Sequence, residues 1–126
     1  MERIGFRIYD PENEIFHFSG STPSMLASFF SMTSTLNTLH GIEYQQLTNL
    51  RDSNGTEIYE GDIIRHRIKN IRTVVFKDGA FRTKRINYVA GELTDAFFFY
   101  EDTGRDWEII GNVFEDGELL KGGTPE

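Results

Sequence analysis

Twenty Asp and Glu, three His and no Cys set the chemistry open to this 126-residue chain. Acids close in sequence come first, because paired carboxylates serve as general acid and base or hold a divalent ion. Three groups qualify: Glu57 with Glu60 and Asp62, Glu101 with Asp102, and Glu115 with Asp116. In so acidic a chain such groups more often mark a solvated face. Glu60-Gly61-Asp62 reads as a turn whose Asp accepts hydrogen bonds from nearby backbone N–H groups. His17, His40 and His66 have neither the spacing nor the neighbouring carboxylate of a zinc site. There is no G-x-S-x-G elbow for a serine nucleophile. Gly55 and Gly61 lack the Lys that follows in a phosphate-binding loop. Without cysteine there is no disulfide and no thiolate-held metal. These readings assign no catalytic residue, no metal and no cofactor, and the chain is expected not to be an enzyme.

Charge gives the one positive signal. The net charge is −7, which argues against generic nucleic-acid binding. Yet between Arg65 and Arg85 stand eight basic residues and a single acid, Asp78. From Glu92 to Glu118 there are nine acids and one base, Arg105. The chain is thus polarised along its length. Arg65, Arg67, Lys69, Arg72, Arg82, Lys84 and Arg85, carried on adjacent hairpin strands, would form a positive strip able to neutralise phosphates. Phe76, Phe81 and Tyr88 nearby would offer stacking surfaces for bases. The competing reading is a solvated β surface, or a strip that meets the acidic segment of the same or a neighbouring subunit. Polarity of this kind favours head-to-tail association.

The elements that would position these residues are mostly strands. Residues 3 to 9 alternate, Asp10-Pro11-Glu12-Asn13 is a turn with Pro at its second position, and Ile15 to Phe18 completes a hairpin. Thr22 is placed to cap a helix that Pro23 begins. Met25, Phe29, Met32, Leu36 and Leu39 keep helical spacing, and Gly41 is a stop. Residues 31 to 38 are mostly Ser and Thr, poor helix formers, so the helix is predicted over 23 to 32. Such a stripe is read as core or subunit contact. Asn54-Gly55 signals a type I′ hairpin, and Asp78-Gly79 a second. Gly61 is expected in a backbone conformation costly for other residues. From Asp62 the chain reads as a β-meander: 62–68, 72–77, 80–88, a doubly buried strand at 96–100, and a last strand around 108–110. This spacing suggests a small barrel rather than parallel βαβ units. Eleven Phe and five Tyr supply core area in a short chain.

No apolar run reaches the ~20 residues of a membrane helix, and the N-terminus lacks the apolar core of a signal peptide. The expectation is an intracellular, cytoplasmic protein with no membrane partner.

Three segments carry a resemblance to a known family. They are Phe6-Arg7-Ile8-Tyr9-Asp10-Pro11-Glu12-Asn13, Thr48 to Ile63 with its Asn54-Gly55 and Glu60-Gly61-Asp62, and Glu108-Ile109-Ile110-Gly111-Asn112-Val113-Phe114 running on to Leu120. Together they resemble the YopX-like proteins of bacteriophages and prophages. Asn49, Tyr9 and Gly117 depart from the usual Gly, Trp and Pro; Asn tolerates left-handed backbone. The resemblance implies a mainly β protein of two small β subdomains, with one short helix in the N-terminal half. The chain is thus read as a hairpin and helix subdomain at 1–50, an SH3-like β-barrel subdomain at 51–120, and, from its Gly-rich polar composition, a frayed tail at 121–126. The resemblance also implies a phage or prophage accessory protein that forms homo-oligomers, and no particular activity. A host or phage protein is the expected partner; a nucleic acid bound by the 65–85 strip is the alternative.

Overall fold

The computed structural model of the protein describes residues 3–66, 70–85, 95–98 and 107–120. The chain is mainly β and divides into two compact units, Met1–Leu47 and Thr48–Glu126. The boundary falls inside one strand.

In the first unit β1 (Phe6–Asp10) pairs antiparallel with β2 (Ile15–Phe18) and with the start of β3 (Gln45–Arg51). The turn between β1 and β2 is held by Asp10. Its Oδ1 accepts from the backbone N–H of Glu12 and Asn13, and its Oδ2 from the Asn13 side-chain amide. Strict alternation fails on β1: Arg7, Ile8, Tyr9 and Asp10 are all buried. Arg7 stays inside because Nε donates to Gln45 Oε1 at 2.7 Å and its guanidinium lies 4.2 Å from the Phe16 ring.

Helix α1 runs Pro23–Thr38, past the predicted end at residue 32 by more than one and a half turns. Thr22 caps it, its hydroxyl accepting from Met25 N. The low helix propensity of the Ser/Thr run is offset by local and tertiary bonds. Thr33 Oγ1 donates to Phe29 O and meets the Tyr44 hydroxyl at 2.9 Å; Thr38 Oγ1 donates to Ser34 O. Beyond the helix Gly41 takes φ 70°. Phe29, Phe30 and Tyr44 form an aromatic cluster with ring centroids 4.9–5.7 Å apart.

In the second unit the end of β3 lies beside β4 (Glu57–Tyr59). The turn between them is not the type I′ that Asn54-Gly55 suggested. Only Gly55 has positive φ, Gly55 N donates to Asp52 O, and Asp52 N donates to Thr56 O. This is a type I turn closed by one left-handed glycine, a three-residue hairpin loop. Asp78-Gly79, with φ of 55° and 81°, does have both residues left-handed, as type I′ requires.

A five-stranded antiparallel sheet follows, with β5 (Asp62–His66), β6 (Asn70–Lys77), β7 (Ala80–Arg85), β8 (Asp95–Phe98) and β9 (Trp107–Asn112) in the order β8-β7-β6-β5-β9. It is a meander whose last strand returns beside the first. Among the described residues no register pair joins β8 to β9 to close a barrel. The register slips between Ile63 and Ile64, so Ile110 bulges out of β9. Ile58, Ile64, Val74 and Trp107 form the buried core, with Leu50 and Ile109 packed on it. A short 3-10 turn, Gly117–Leu120, follows β9. The expected strand at 96–100 is described as far as Phe98; its last two residues, the turn at 102–105 and the tail from 121 lie outside the described residues.

Candidate functional site

Asp52 is buried, with Oδ1 accepting from Asn54 N and Thr56 N and Oδ2 from Ile109 N at 3.0 Å. One carboxylate therefore closes its own turn and ties it to β9, and Ser53 N adds a bond to Trp107 O. Asn54 and Gly55 are exposed at the tip. Glu60 is half-buried, and Glu57 pairs with Arg51 at 3.5 Å. Gly61 has φ 91°, a value only glycine adopts without strain. Its N–H donates to Val74 O and its carbonyl accepts from Val113 N, so the turn is gripped from two strands. Asp62 is buried and its Oδ2 accepts from Tyr59 N at 2.8 Å.

The C-terminal motif is built the same way. Asn112 Oδ1 accepts from Phe114 N and Glu115 N, and Asp116 Oδ2 from Asn112 N. Asp116 folds so closely over Gly111 that a Cβ there would stand 2.8 Å from Asp116 Cβ. The recurrent Asp, Asn and Gly of these segments thus hold turns. Among the described residues no group of three or more His, Asp or Glu is placed to hold a metal.

Among the described residues the basic side chains do not all share one face. Opposed residues of an antiparallel pair share a face, and faces alternate along a strand. The pairs Thr73↔Lys84, Val75↔Arg82 and Ile71↔Arg65 put Arg65, Arg82 and Lys84 on one face. Buried Ile71 and Thr73 of β6 stand between Arg65 and the other two. Arg72 belongs to the opposite, core-facing side with Val74; it is buried and its Nη1 donates to Thr83 Oγ1. Arg85 is the register partner of Arg72. Arg65 forms an ion pair with Glu108 of β9 at 3.0 Å. Arg82 Nε donates to Lys77 O at the hairpin end. Arg67, Lys69 and Tyr88 lie outside the described residues.

A feature that charge and motif reading passed over lies in the first unit. Between Glu14 and Glu43 the chain carries no Asp, Glu, Lys or Arg. That segment is β2 and α1, and between them runs a groove of about 470 Å³ lined by His17, Phe18, Ser24, Met25, Ser28 and Met32, among others. Phe18, Met25, Met32 and Leu39 are exposed by 57%, 53%, 82% and 78%. The charge-free run was the signal that could have found it. At the groove's edge His17 Nε2 lies 3.5 Å from Asp10 Oδ2. The Asp10 carboxyl is held below its ordinary value, chiefly by the Asn13 side-chain amide and in spite of its burial; the Asn13 N–H, His17 and the Glu12 N–H add to the effect. Apolar side chains around an open groove make a surface for contact rather than for bond-breaking.

Comparison with known proteins agrees with the motif reading. Protein EF1440 from Enterococcus faecalis, known from a crystal structure, matches with 19% sequence identity and a TM-score of 0.48, over 94% of this chain and 98% of that one. No curated protein matches the chain. The family model described as "YopX protein" matches residues 6–121, a span that takes in all three recognised segments and most of each compact unit. The chain belongs to the YopX protein family.

Proposed function

We propose that this chain is a non-enzymatic interaction module that works as a homo-oligomer, an accessory protein of a phage or prophage in the cytoplasm of its bacterial host. The observation that carries the reading is the exposed, charge-free apolar face on β2 and α1. Contiguous exposed apolar surface is rare on soluble monomers and marks contact sites. The engagement of Asp52, Asp62 and Asp116 in backbone hydrogen bonds supports the non-enzymatic side, since an acceptor committed to turn amides is a poor proton carrier. A host or phage protein then docks on the assembled oligomer.

A second reading, a nucleic-acid-binding module, is favoured by one place. At the β6–β7 hairpin tip Phe76 and Phe81 meet edge to face with centroids 5.0 Å apart and Phe76 is 47% exposed, while Arg82 and Lys84 share the other face of the same hairpin. It stands second because Arg65 is paired with Glu108 and Arg72 is buried, which leaves few cations to neutralise phosphates.

The two readings separate by gel filtration with light scattering, at low and high salt, with a short single-stranded and a duplex DNA. The first predicts an oligomer whose mass DNA does not change. A monomer at every concentration overturns it. A DNA-bound species that dissolves at high salt moves the second reading to the front.

A further inference from the structure

We infer that the groove between β2 and α1 is the seat of a second copy of this chain, docked by antiparallel pairing of the two α1 helices. This rests on the self-associating reading above and adds to it the surface and its geometry. Met25, Met32 and Leu39 recur every seven residues, so they stack along one stripe of the helix. Ser28 and Thr35 lie between them on the same stripe, and both are exposed. The stripe thus alternates large and small. The groove opens at Ser28, with Met25 and Met32 on either side of it and Phe18 as the wall.

This alternation is self-complementary in one orientation. With a two-fold axis crossing the stripe midway between Ser28 and Met32, on the side of the helix away from Phe30, antiparallel helices bring Met32 of one copy over Ser28 of the other, and Met25 over Thr35. An isologous contact requires that each such pair occur twice, and both do. Each large side chain then enters the hole left by a small one, as knobs enter holes in packed helices. Parallel pairing would set Met against Met and Ser against Ser.

Charge selects the occupant. Two copies of a chain of net charge −7 repel each other over most of their surfaces. Close to a two-fold axis a charged residue faces its own copy, and from Ile15 to Ile42 there is none to do so. The polarity of the second unit, which would favour head-to-tail contact, is in part met within the chain by the Arg65–Glu108 pair. One helix face is small beside the roughly 800 Å² per partner of a standard interface, so the association depends on concentration.

Two variants at exposed positions test this. Met32→Glu puts a carboxylate against the second copy's Ser28 and is expected to weaken association about tenfold or more, with far-ultraviolet circular dichroism unchanged. Met25→Cys together with Thr35→Cys, in a chain that has no other cysteine, is expected to give a disulfide-linked dimer on mild oxidation. Either single cysteine variant should stay unlinked, since like positions then lie ~15 Å apart along the axis. An oligomer that persists unchanged in Met32→Glu, or single variants that link as well as the double, would overturn the inference and leave the oligomeric reading standing. A wild-type chain that is monomeric throughout would remove both.

Discussion

At the scale of single residues, the side chains that looked most able to do chemistry are committed to holding backbone. Asp10 shows this with a measurable consequence. Its carboxyl sits below the ordinary value of 3.8, first through the Asn13 side-chain amide. Because the folded value is lower than the unfolded one, the resulting stabilisation is full above about 3.8 and is lost as the pH falls through the lowered value. Asp10→Asn should therefore flatten the acid limb of the stability curve, followed by urea unfolding at stepped pH. An unchanged acid limb would show that Asp10 contributes nothing there. These turn residues were largely legible in the sequence, because Asp, Asn and Gly at turn positions have short-range mechanisms. The buried Arg7 was not legible: its partners Gln45 and Phe16 lie far away in sequence or across a strand pair.

At the scale of elements, Asp52 links two that are distant in sequence. Its Oδ1 closes the β3–β4 turn and its Oδ2 holds Ile109 of β9. Asp52→Ala leaves three amides without their acceptor and should cost about 3 kcal/mol of stability, read by urea unfolding. Asp52→Asn, which keeps one oxygen, should cost less. A loss no larger than that of an exposed Ser53→Ala control would contradict the assigned role. The meander, the first hairpin and the cap of α1 could be read from alternation, turn residues and Thr22-Pro23. The helix end could not, because Ser and Thr propensity measures isolated helices, whereas Thr33 finds Phe29 O and the Tyr44 hydroxyl. The β3–β4 turn type was also misread, since Asn54-Gly55 fits more than one hairpin loop and the Asp52 carboxylate selects the longer.

At the scale of the molecule, the charge runs proved to be a poor guide to surface. Counting cations along 65–85 ignored the pleat, which sends Arg72 to one side of the sheet and Lys84 and Arg82 to the other. It also ignored the neighbouring strand that brings Glu108 to Arg65. The informative pattern was the absence of charge from 15 to 42, which a search for chemistry overlooks. In the proposed function this charge-free face, and not the basic hairpin, is the working surface. The most direct test is a dilution series of backbone amide NMR spectra over about a hundredfold in concentration. Shifts are expected to be confined to β2 and α1, residues 15–42, with the amides of β5, β6, β7 and β9 unmoved. Shifts that centre on β6 and β7, or none anywhere, would contradict it.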